Sequence, residues 1–370
     1  MLTRQKAIHH LLTHRLLEEK HIVNGNISVL DVTRRNLNFQ VIREQGRSYL
    51  LKAGKSAEEK ELTAQEAFLY RYFQQGGGKD SGMEVYLPRY YSYDDADGIL
   101  VIELLRGAST LGDTFYRQKG RFPVQLAREA GDALGRLHLC RNGLDLLPKS
   151  DPPWILKLHQ PAQSIYHGIS SANLRLVKIM QRFPAFCDAL ELLHREWTTD
   201  TLIHQDVKWD NFLVVPDDKD FIAQKRPALR LIDWELAASG DSCWDVGSMF
   251  SSFLSAWLHS IPITGDTPPE RALQLAKHPI HTMHPALRAF WQAYCKRMGL
   301  TEAEQDRKLI RSVRYAAARL VLSAYEAMQS SIEPTGNMIC FLQMSANMLQ
   351  RPEQAAVQVL GIPRKAGAAR

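Results

Sequence analysis

The stretch TLIHQDVKWDN at residues 201–211 decides the fold that this sequence predicts. It opens with an apolar, strand-like run and becomes polar, with Asn211 five residues after Asp206. A second apolar run, FLVV at 212–215, follows at once, and a third, ALRLI, occupies 228–232 after a polar turn and a loop. The apolar runs predict short strands, and the polar residues stand where those strands begin or end.

The relative direction of the second and third strands fixes where the polar residues meet. If 212–215 and 229–232 pair antiparallel, the start of the first lies beside the end of the second. Asn211 then lies next to Asp233, with Asp206 one loop away at the same end. Two carboxylates at this spacing would repel each other without a cation, and carboxylate and amide oxygens suit Mg²⁺. A magnesium site is therefore predicted here.

The N-terminal third of the chain predicts a small sheet with one helix. Residues 38–43 and 49–52 have strand character around a polar turn, and apolar spacing over 58–73 indicates a helix. Lys52 ends the second strand, and Glu66 falls within the apolar stripe of the helix. Because a carboxylate on a buried face is costly unless it is paired, Glu66 is expected to pair with Lys52. The alternative is a lysine that extends to solvent and a glutamate at an exposed edge.

The rest of the chain predicts an α+β fold in two parts. A further strand is expected at 98–104, an amphipathic helix at the N-terminus, and mostly helix from about residue 121. A capping-box pattern from Thr301 to Glu304 opens a long helix. The order predicts two lobes, residues 1–105 and 106–370, with a ligand site in the cleft between them.

Composition narrows the class of protein. The 370 residues carry a net charge of +6 and no cluster of five basic residues, which does not indicate nucleic-acid binding. The five cysteines are scattered without a Cys-x-x-Cys pair, which argues against a disulfide framework or a zinc site. No apolar run approaches the roughly 18 residues of a membrane span. A cytoplasmic protein with reduced thiols and no membrane partner is expected.

The segment 204–211 together with Asp233 resembles the catalytic core of kinases. The shared pattern is His-x-Asp-x-x-x-x-Asn, followed by a metal-binding aspartate at the end of a later strand. Asp233-Trp234-Glu235 is similar to the aminoglycoside phosphotransferase and choline kinase superfamily, as are Gly240-Asp241 and Trp244-Asp245-Val246-Gly247. The resemblance implies a protein-kinase-like fold, with a small N-terminal antiparallel β-sheet lobe, one key helix and a larger, mainly helical C-terminal lobe.

The resemblance also implies a role for each matching residue of the catalytic loop. Asp206 would accept the proton of the acceptor hydroxyl or orient that hydroxyl, and Lys208 would touch the γ-phosphate of the nucleotide. Asn211 and Asp233 would hold Mg²⁺. Asp245 would brace the loop from below, and the histidine of the motif would be structural.

For the nucleotide, the resemblance implies ATP bound mainly by the N-terminal lobe. Lys52 and Glu66 would form the ion pair that orients the phosphates. The segment ILVIELLRG at 99–107 would be the hinge, where backbone groups from Glu103 to Leu105 meet the adenine. A plain strand that ends in a turn describes the same segment, and both descriptions can hold together.

One stretch departs from the kinase pattern. Kinases cover the phosphates with a glycine-rich loop, because only glycine lets the backbone approach closely. The equivalent residues 33–39, TRRNLNF, contain no glycine, although Asn36 loosely matches an asparagine of the superfamily. Arg34 and Arg35 are expected either to supply charge in place of backbone donors or to be solvated in a turn. Gln205 also stands where the superfamily often has glycine.

The predicted function is an ATP- and Mg²⁺-dependent transfer of phosphate to a hydroxyl group. The acceptor is either a small molecule of the antibiotic, amino alcohol or sugar class, or Ser/Thr of a peptide, as in a peptide-modifying kinase. The insert at 151–200, expected to help form the acceptor site, shows no acidic pocket for a polycationic drug, which disfavours an aminoglycoside. Lys208 favours the peptide. The alternative function is a nucleotide-binding pseudokinase or scaffold, which the glycine-free loop favours.

Overall fold

The computed structural model describes residues 2–33, 36–140, 147–163, 169–199, 201–216, 227–263 and 274–364. The chain divides into two compact units. Unit 1 comprises Met1–Leu111 and Asp210–Ala237, and unit 2 comprises Gly112–Trp209 and Ala238–Arg370. The lobe boundary after residue 105 stays a prediction, and these units differ from it mainly because they place Asp210–Ala237 with the N-terminal residues.

The strands are β1 (Ile27–Asp31), β2 (Leu37–Arg43), β3 (Tyr49–Ala53), β4 (Tyr90–Asp94), β5 (Ile99–Glu103), β6 (Ser109–Thr110), β7 (Thr201–Ile203), β8 (Phe212–Val214), β9 (Leu229–Leu231) and β10 (Ala238–Gly240). The helices are α1 (Arg4–Thr13), α2 (Glu19–Val23), α3 (Ala57–Gln75), α4 (Leu111–Arg117), α5 (Val124–Leu139), α6 (Ser171–Gln181), α7 (Pro184–Arg195), α8 (Ser242–His259), α9 (His284–Met298), α10 (Glu302–Ala327), α11 (Gly336–Gln350) and α12 (Pro352–Gln358).

Unit 1 is built on an antiparallel five-stranded sheet with the order β1-β2-β3-β5-β4. Burial alternates along β3, so Leu51 is fully buried in the same apolar cluster as Ala7 and Leu11 of α1. Lys52, one residue on, points to the opposite face and meets Glu66 of α3. This alternation follows from the period of two along a strand, and it places the predicted lysine on the side of α3.

Helix α3 begins where its sequence predicts. Ser56 is the N-cap and accepts a hydrogen bond from the backbone N–H of Glu59, whose side chain accepts from the N–H of Ser56 in return. This capping box satisfies backbone donors that a helix start leaves without partners. Helix α10 of unit 2 has the same device in Thr301 and Glu304, as the sequence predicted.

A second, three-stranded sheet of unit 1 has the order β6-β8-β9. Strands β8 and β9 are antiparallel, with Phe212 opposite Leu231, so the predicted pairing of these strands is confirmed. Part of the connection between them, residues 217–226, lies outside the described residues, and with it most of the predicted polar turn.

Unit 2 is mainly helical and has a small antiparallel sheet of β7 and β10. Its helices α8 and α10 approach closely at Gly247, where an added Cβ atom would lie 2.7 Å from the carbonyl oxygen of Ser312 and 2.8 Å from the backbone nitrogen of Ala316. A side chain at this position would therefore force the two helices apart. The close approach holds α8, which carries Asp245, against α10, which carries Arg319.

The cysteine side chains are free thiols and most of them are buried, as the sequence predicts. All five cysteines are free, and three of them, Cys140, Cys243 and Cys295, are buried. None of the helices that the structure describes is both long enough and apolar enough to cross a bilayer.

Candidate functional site

The predicted ion pair of unit 1 is present. The ammonium group of Lys52 lies 2.8 Å and 3.0 Å from the two carboxylate oxygens of Glu66, and 3.7 Å from Oδ1 of Asp233. The exposed fraction of the side chain is 12% for Lys52, 2% for Glu66 and 38% for Asp233. One cation is thus held between a buried carboxylate and a partly exposed one.

Burial and charge act on this pair in opposite directions. Burial works to lower the pKa of Lys52, but the negative charges of Glu66 and Asp233 outweigh it, so that pKa is raised. Burial raises the pKa of Glu66, and Lys52 only partly offsets this rise. The raised pKa favours the charged form of Lys52, which its predicted role beside phosphate oxygens requires.

The predicted approach of Asn211 to the end of β9 is also present. The N–H of Ile232 donates to the backbone oxygen of Asn211 over 3.0 Å, which extends the β8–β9 pairing to the residue before Asp233. Asn211 is buried and Asp233 is partly exposed. The two predicted metal ligands thus stand at the same end of one strand pair.

The backbone at Asp233 is unusual. Its φ angle is +69°, a left-handed conformation that costs a residue with a side chain about 1–2 kcal/mol. The next residue, Trp234, is fully buried, donates from its indole N–H to the oxygen of Leu231 and lies against Phe73 with ring centroids 5.5 Å apart. The buried indole holds the turn in place, so the position of the Asp233 carboxylate is fixed by packing.

Asn36 contacts a residue that the sequence analysis did not select. Its side-chain amide donates to Oε2 of Glu235 over 3.1 Å. Glu235 is the last residue of the Asp-Trp-Glu motif, so this contact links the glycine-free stretch to that motif within unit 1. Arg34 and Arg35, for which two alternatives were open, lie outside the described residues.

The predicted hinge has the form of a strand followed by a turn. The backbone N–H of Glu103 donates to the oxygen of Arg89, and its carboxylate accepts from the N–H of Arg89. The oxygen of Leu105 accepts from the N–H of Ala108 over 3.3 Å, across a turn in which Gly107 has φ of +70°. An adenine contact of Glu103 and Leu105 stays a prediction.

In unit 2, the predicted catalytic loop brings Asp206 and Lys208 together. The ammonium group of Lys208 lies 2.5 Å from Oδ2 of Asp206, and Arg319 of α10 lies 3.8 Å from Oδ1. The guanidinium of Arg319 stacks over the ring of Trp244, 5.4 Å from its centroid. Asp206 therefore has a positive charge beside each of its oxygens.

Sequence reasoning missed Arg319, although a signal was present. Arg319 interrupts the run of Ala316, Ala317 and Ala318 before Leu320, all of them buried in α10. A charged residue in such a run is costly unless it has an acidic partner, which is the argument that found Glu66.

Asp245 makes the contacts expected of a residue that braces the loop. It is fully buried, and its two oxygens accept hydrogen bonds from the backbone N–H groups of His204 at 2.7 Å and Gln205 at 3.0 Å. Gln205 has φ of +69°, and its oxygen accepts from the indole N–H of Trp244. Glycine adopts this φ without penalty, which explains why the superfamily that the sequence resembles often has glycine at this position. In this chain, the hydrogen bonds on both sides of Gln205 hold the strained conformation.

A further pair of buried residues supports Asp245. Nε2 of His138 lies 3.2 Å from Oδ2 of Asp245, and Nδ1 lies 3.0 Å from the hydroxyl oxygen of Tyr294. Burial raises the pKa of Tyr294 well above its usual value, so the hydroxyl keeps its proton. His138 and Tyr294 lie far from the motif in sequence, and nothing in their local pattern marked them.

The Asp245→Asn variant should lose about 1–3 kcal/mol of unfolding free energy, because an amide cannot replace both acceptor oxygens and leaves a buried N–H without a partner. Chemical denaturation measures this loss. Asp188→Asn, on the exposed side of α7, is the matched control and should be within error of the unchanged protein. Equal stability of both variants would contradict the bracing role.

The predicted site residues thus group within units. Unit 1 brings Lys52, Glu66 and Asp233 together and sets Asn211 at the same strand end, whereas unit 2 brings Asp206 and Lys208 together. The other three, Asn36, Glu103 and Leu105, make the separate contacts described above.

The sequence matches a known family over most of its length. Residues 26–290, more than half of the chain, match the model of the phosphotransferase enzyme family. The chain belongs to this family. The predicted resemblance and the predicted enzyme class, a kinase that uses an alcohol group as acceptor, are confirmed for this phosphotransferase. A comparison with curated protein sequences gave no match.

Solved structures show the same fold at low sequence identity. A glucosamine kinase in complex with glucosamine, ADP and inorganic phosphate has a TM-score of 0.52 and 16% identity, over 89% of this phosphotransferase and 83% of that chain. The GDP complex of a variant of aminoglycoside 2′-phosphotransferase-IIIa has a TM-score of 0.50 and 13% identity, over 94% and 98%. A choline kinase from Streptococcus pneumoniae aligns over 91% and 99% at 16% identity, with a TM-score of 0.44. The first two of these structures, with TM-scores of 0.52 and 0.50, confirm the predicted protein-kinase-like fold class.

Proposed function

We propose that this phosphotransferase moves the γ-phosphate of ATP, with Mg²⁺ as cofactor, to a hydroxyl group of a small molecule. The observation that carries the proposal is the Lys52 ammonium held by Glu66 beside Asp233. A buried ion pair contributes little to the free energy of folding, because the cost of removing the two charges from water can exceed their mutual attraction. An oriented cation next to a metal-type carboxylate is, however, what binding of a nucleotide triphosphate requires. The alternative of a pseudokinase or scaffold is not favoured by the family match.

The donor set of Asn211 and Asp233 fits Mg²⁺. Both residues offer hard oxygen ligands at one strand end, and the partial exposure of Asp233 leaves room for waters and phosphate oxygens. When bound, the ion would neutralise charge on the phosphate oxygens. Lys52 would hold the same phosphates from the protein side.

In the proposal, the groups of unit 2 act on the acceptor and on the transferred phosphate. Asp206 accepts the proton of the acceptor hydroxyl, and Lys208 and Arg319 supply positive charge for the phosphoryl oxygens. The same two cations repel a polycation, so a neutral or singly charged hydroxyl compound fits better than an aminoglycoside. The names of the glucosamine kinase and the aminoglycoside phosphotransferase support a small molecule as acceptor.

Removal of Mg²⁺ by excess EDTA should abolish transfer, and the Asp233→Asn variant should need a higher Mg²⁺ concentration for half-maximal rate. The amide is a weaker ligand for a hard cation than a carboxylate. Initial rates at a series of Mg²⁺ concentrations measure this. The control is Glu235→Gln, which keeps an acceptor for Asn36 and should keep the Mg²⁺ requirement of the unchanged protein. An unchanged Mg²⁺ requirement in Asp233→Asn would contradict the assignment of Asp233 as a metal ligand.

The function is tested with purified protein, Mg²⁺ and γ-labelled ATP against sugars, amino sugars, amino alcohols, an aminoglycoside and a Ser/Thr peptide pool. Label should move to a member of the small-molecule set and should not move when Asp206→Asn replaces the unchanged protein. Label in the peptide pool alone would show that the acceptor is a peptide rather than a small molecule. Transfer to none of them, nor to any component of a metabolite extract, would overturn the proposal.

A further inference from the structure

A second group of side chains of the kinds that bind metal ions lies in unit 1, away from the predicted nucleotide-binding residues. His10 and His14 stand four residues apart at the C-terminal end of α1, and Asp94 is the last residue of β4. One candidate ligand atom from each of the three lies within 4.8 Å of the other two. The rings of His10 and His14 are stacked with centroids 4.1 Å apart, and Nδ1 of His10 is 3.8 Å from Oδ2 of Asp94.

Hydrogen bonds orient two of these side chains through atoms that a metal would not use. Nδ1 of His14 lies 2.9 Å from the backbone oxygen of His10, so it donates its hydrogen there and Nε2 is left with a free lone pair. Oδ1 of Asp94 accepts from the backbone N–H groups of Ala96 at 2.9 Å and Asp97 at 3.2 Å, which leaves Oδ2 on the side of His10. Metal ligands in proteins are usually held in this way by a second hydrogen bond.

The third side chain, His10, has polar atoms that the protein does not satisfy. It is 5% exposed, and its Nε2 is buried without a hydrogen-bond partner among the described residues. The distance of 3.8 Å from Nδ1 to Asp94 is too long for a hydrogen bond. Buried polar atoms without partners are rare and call for an explanation. An imidazole gives an ion one of its nitrogens, so a bound ion would satisfy one of these two atoms.

We propose that His10, His14 and Asp94 bind one divalent ion of the zinc class and so join α1 to β4. Two imidazoles and a carboxylate are a ligand set typical of Zn²⁺. Imidazole nitrogen is a better ligand for Zn²⁺ than for Mg²⁺. Ligand atoms around a tetrahedral ion are about 3.4 Å apart at bond lengths of about 2.0–2.2 Å, so side-chain shifts of about 1 Å close the site. Water completes the coordination.

Two features of the surroundings agree with this site. Lys6, whose positive charge acts on His10, is paired with Asp97 at 2.5 Å, and Asp97 adds a negative charge beside Asp94. The sequence argument against zinc rested on the cysteines, and this cluster contains none; the spacing of four places both histidines on one side of a helix. The two metals therefore belong to separate places, Mg²⁺ at the predicted nucleotide residues and zinc at α1 and β4.

Zinc chloride alone is the probe, added by equilibrium dialysis to the tag-free full-length protein after EDTA treatment. The unchanged protein should bind one Zn²⁺ per chain, and a large excess of Mg²⁺ should not displace it. His14→Gln and Asp94→Asn should each weaken zinc binding at least about ten-fold. His14 is exposed, so the His14→Gln variant should fold with an unchanged melting temperature in the absence of metal.

The matched control is His9→Gln, an exposed histidine of the same helix outside the cluster. Zinc should raise the melting temperature of the unchanged protein and of His9→Gln, but not that of His14→Gln. Three results would overturn the proposal: no zinc bound by the unchanged protein, a zinc affinity in both cluster variants equal to that of the unchanged protein, or a loss of affinity in His9→Gln as large as in the cluster variants.

Discussion

Asp206→Asn is expected to lower the rate of phosphoryl transfer by about 10²–10⁴-fold and to leave nucleotide affinity nearly unchanged. The amide has the shape of the carboxylate but cannot take a proton from the acceptor hydroxyl. Lys208 and Arg319, which flank the carboxylate, are themselves unchanged in this variant. The loss should therefore appear in kcat and hardly at all in the KM for ATP.

Single-turnover transfer of labelled phosphate and a separate titration of ATP binding measure the two quantities. Asp210→Asn is the matched control, since Asp210 lies in the same loop four residues on and is exposed. Its rate should stay within about two-fold of the unchanged protein, as surface substitutions away from special features have small effects. An Asp206→Asn variant that keeps more than a tenth of the rate would show that Asp206 is not the base.

Lys52→Met should cost about 3–5 kcal/mol of unfolding free energy and abolish measurable ATP binding. The methionine leaves the carboxylate of Glu66, which is 2% exposed, without its cation. The phosphates lose their oriented ammonium group at the same time. Urea denaturation measures the first effect and ATP titration the second.

The double variant Lys52→Met/Glu66→Leu separates stability from function. Replacing a buried ion pair by apolar residues of similar volume is often neutral or stabilising, so most of the lost unfolding free energy should return. ATP binding should not return. Lys60→Met, an exposed lysine on α3, controls for the loss of a charge and should retain both properties. Recovery of ATP binding in the double variant would show that the pair is structural only.

The parts of the molecule that the sequence predicted are those set by local rules. The capping boxes at Ser56 and Thr301 and the alternation along β3 need only neighbouring residues. The pair of Lys52 and Glu66 was predictable because burial of one charge demands another. The approach of Asn211 to the end of β9 followed from antiparallel pairing alone.

The parts that sequence reasoning missed depend on contacts between distant segments. Strand β10, Ala-Ser-Gly, has no residue that favours strands and is extended because it pairs with β7. His138 is 107 residues away from Asp245, and its role appears only once α5 and α8 are folded. The contact between Asn36 and Glu235 spans 199 residues, which no local pattern can encode.

The anchoring of His204 and Gln205 on Asp245 has a consequence for motion during turnover. The two amides share one carboxylate with no exposed surface, so releasing them would take two hydrogen bonds away from a buried charge. Their hydrogens should therefore exchange with solvent only through large-scale opening of the chain. A segment held in this way cannot serve as a gate for substrate or product. The carboxylate of Asp206 then keeps its position from one turnover to the next. Any slow opening of the site or slow release of product must come from movement of other segments.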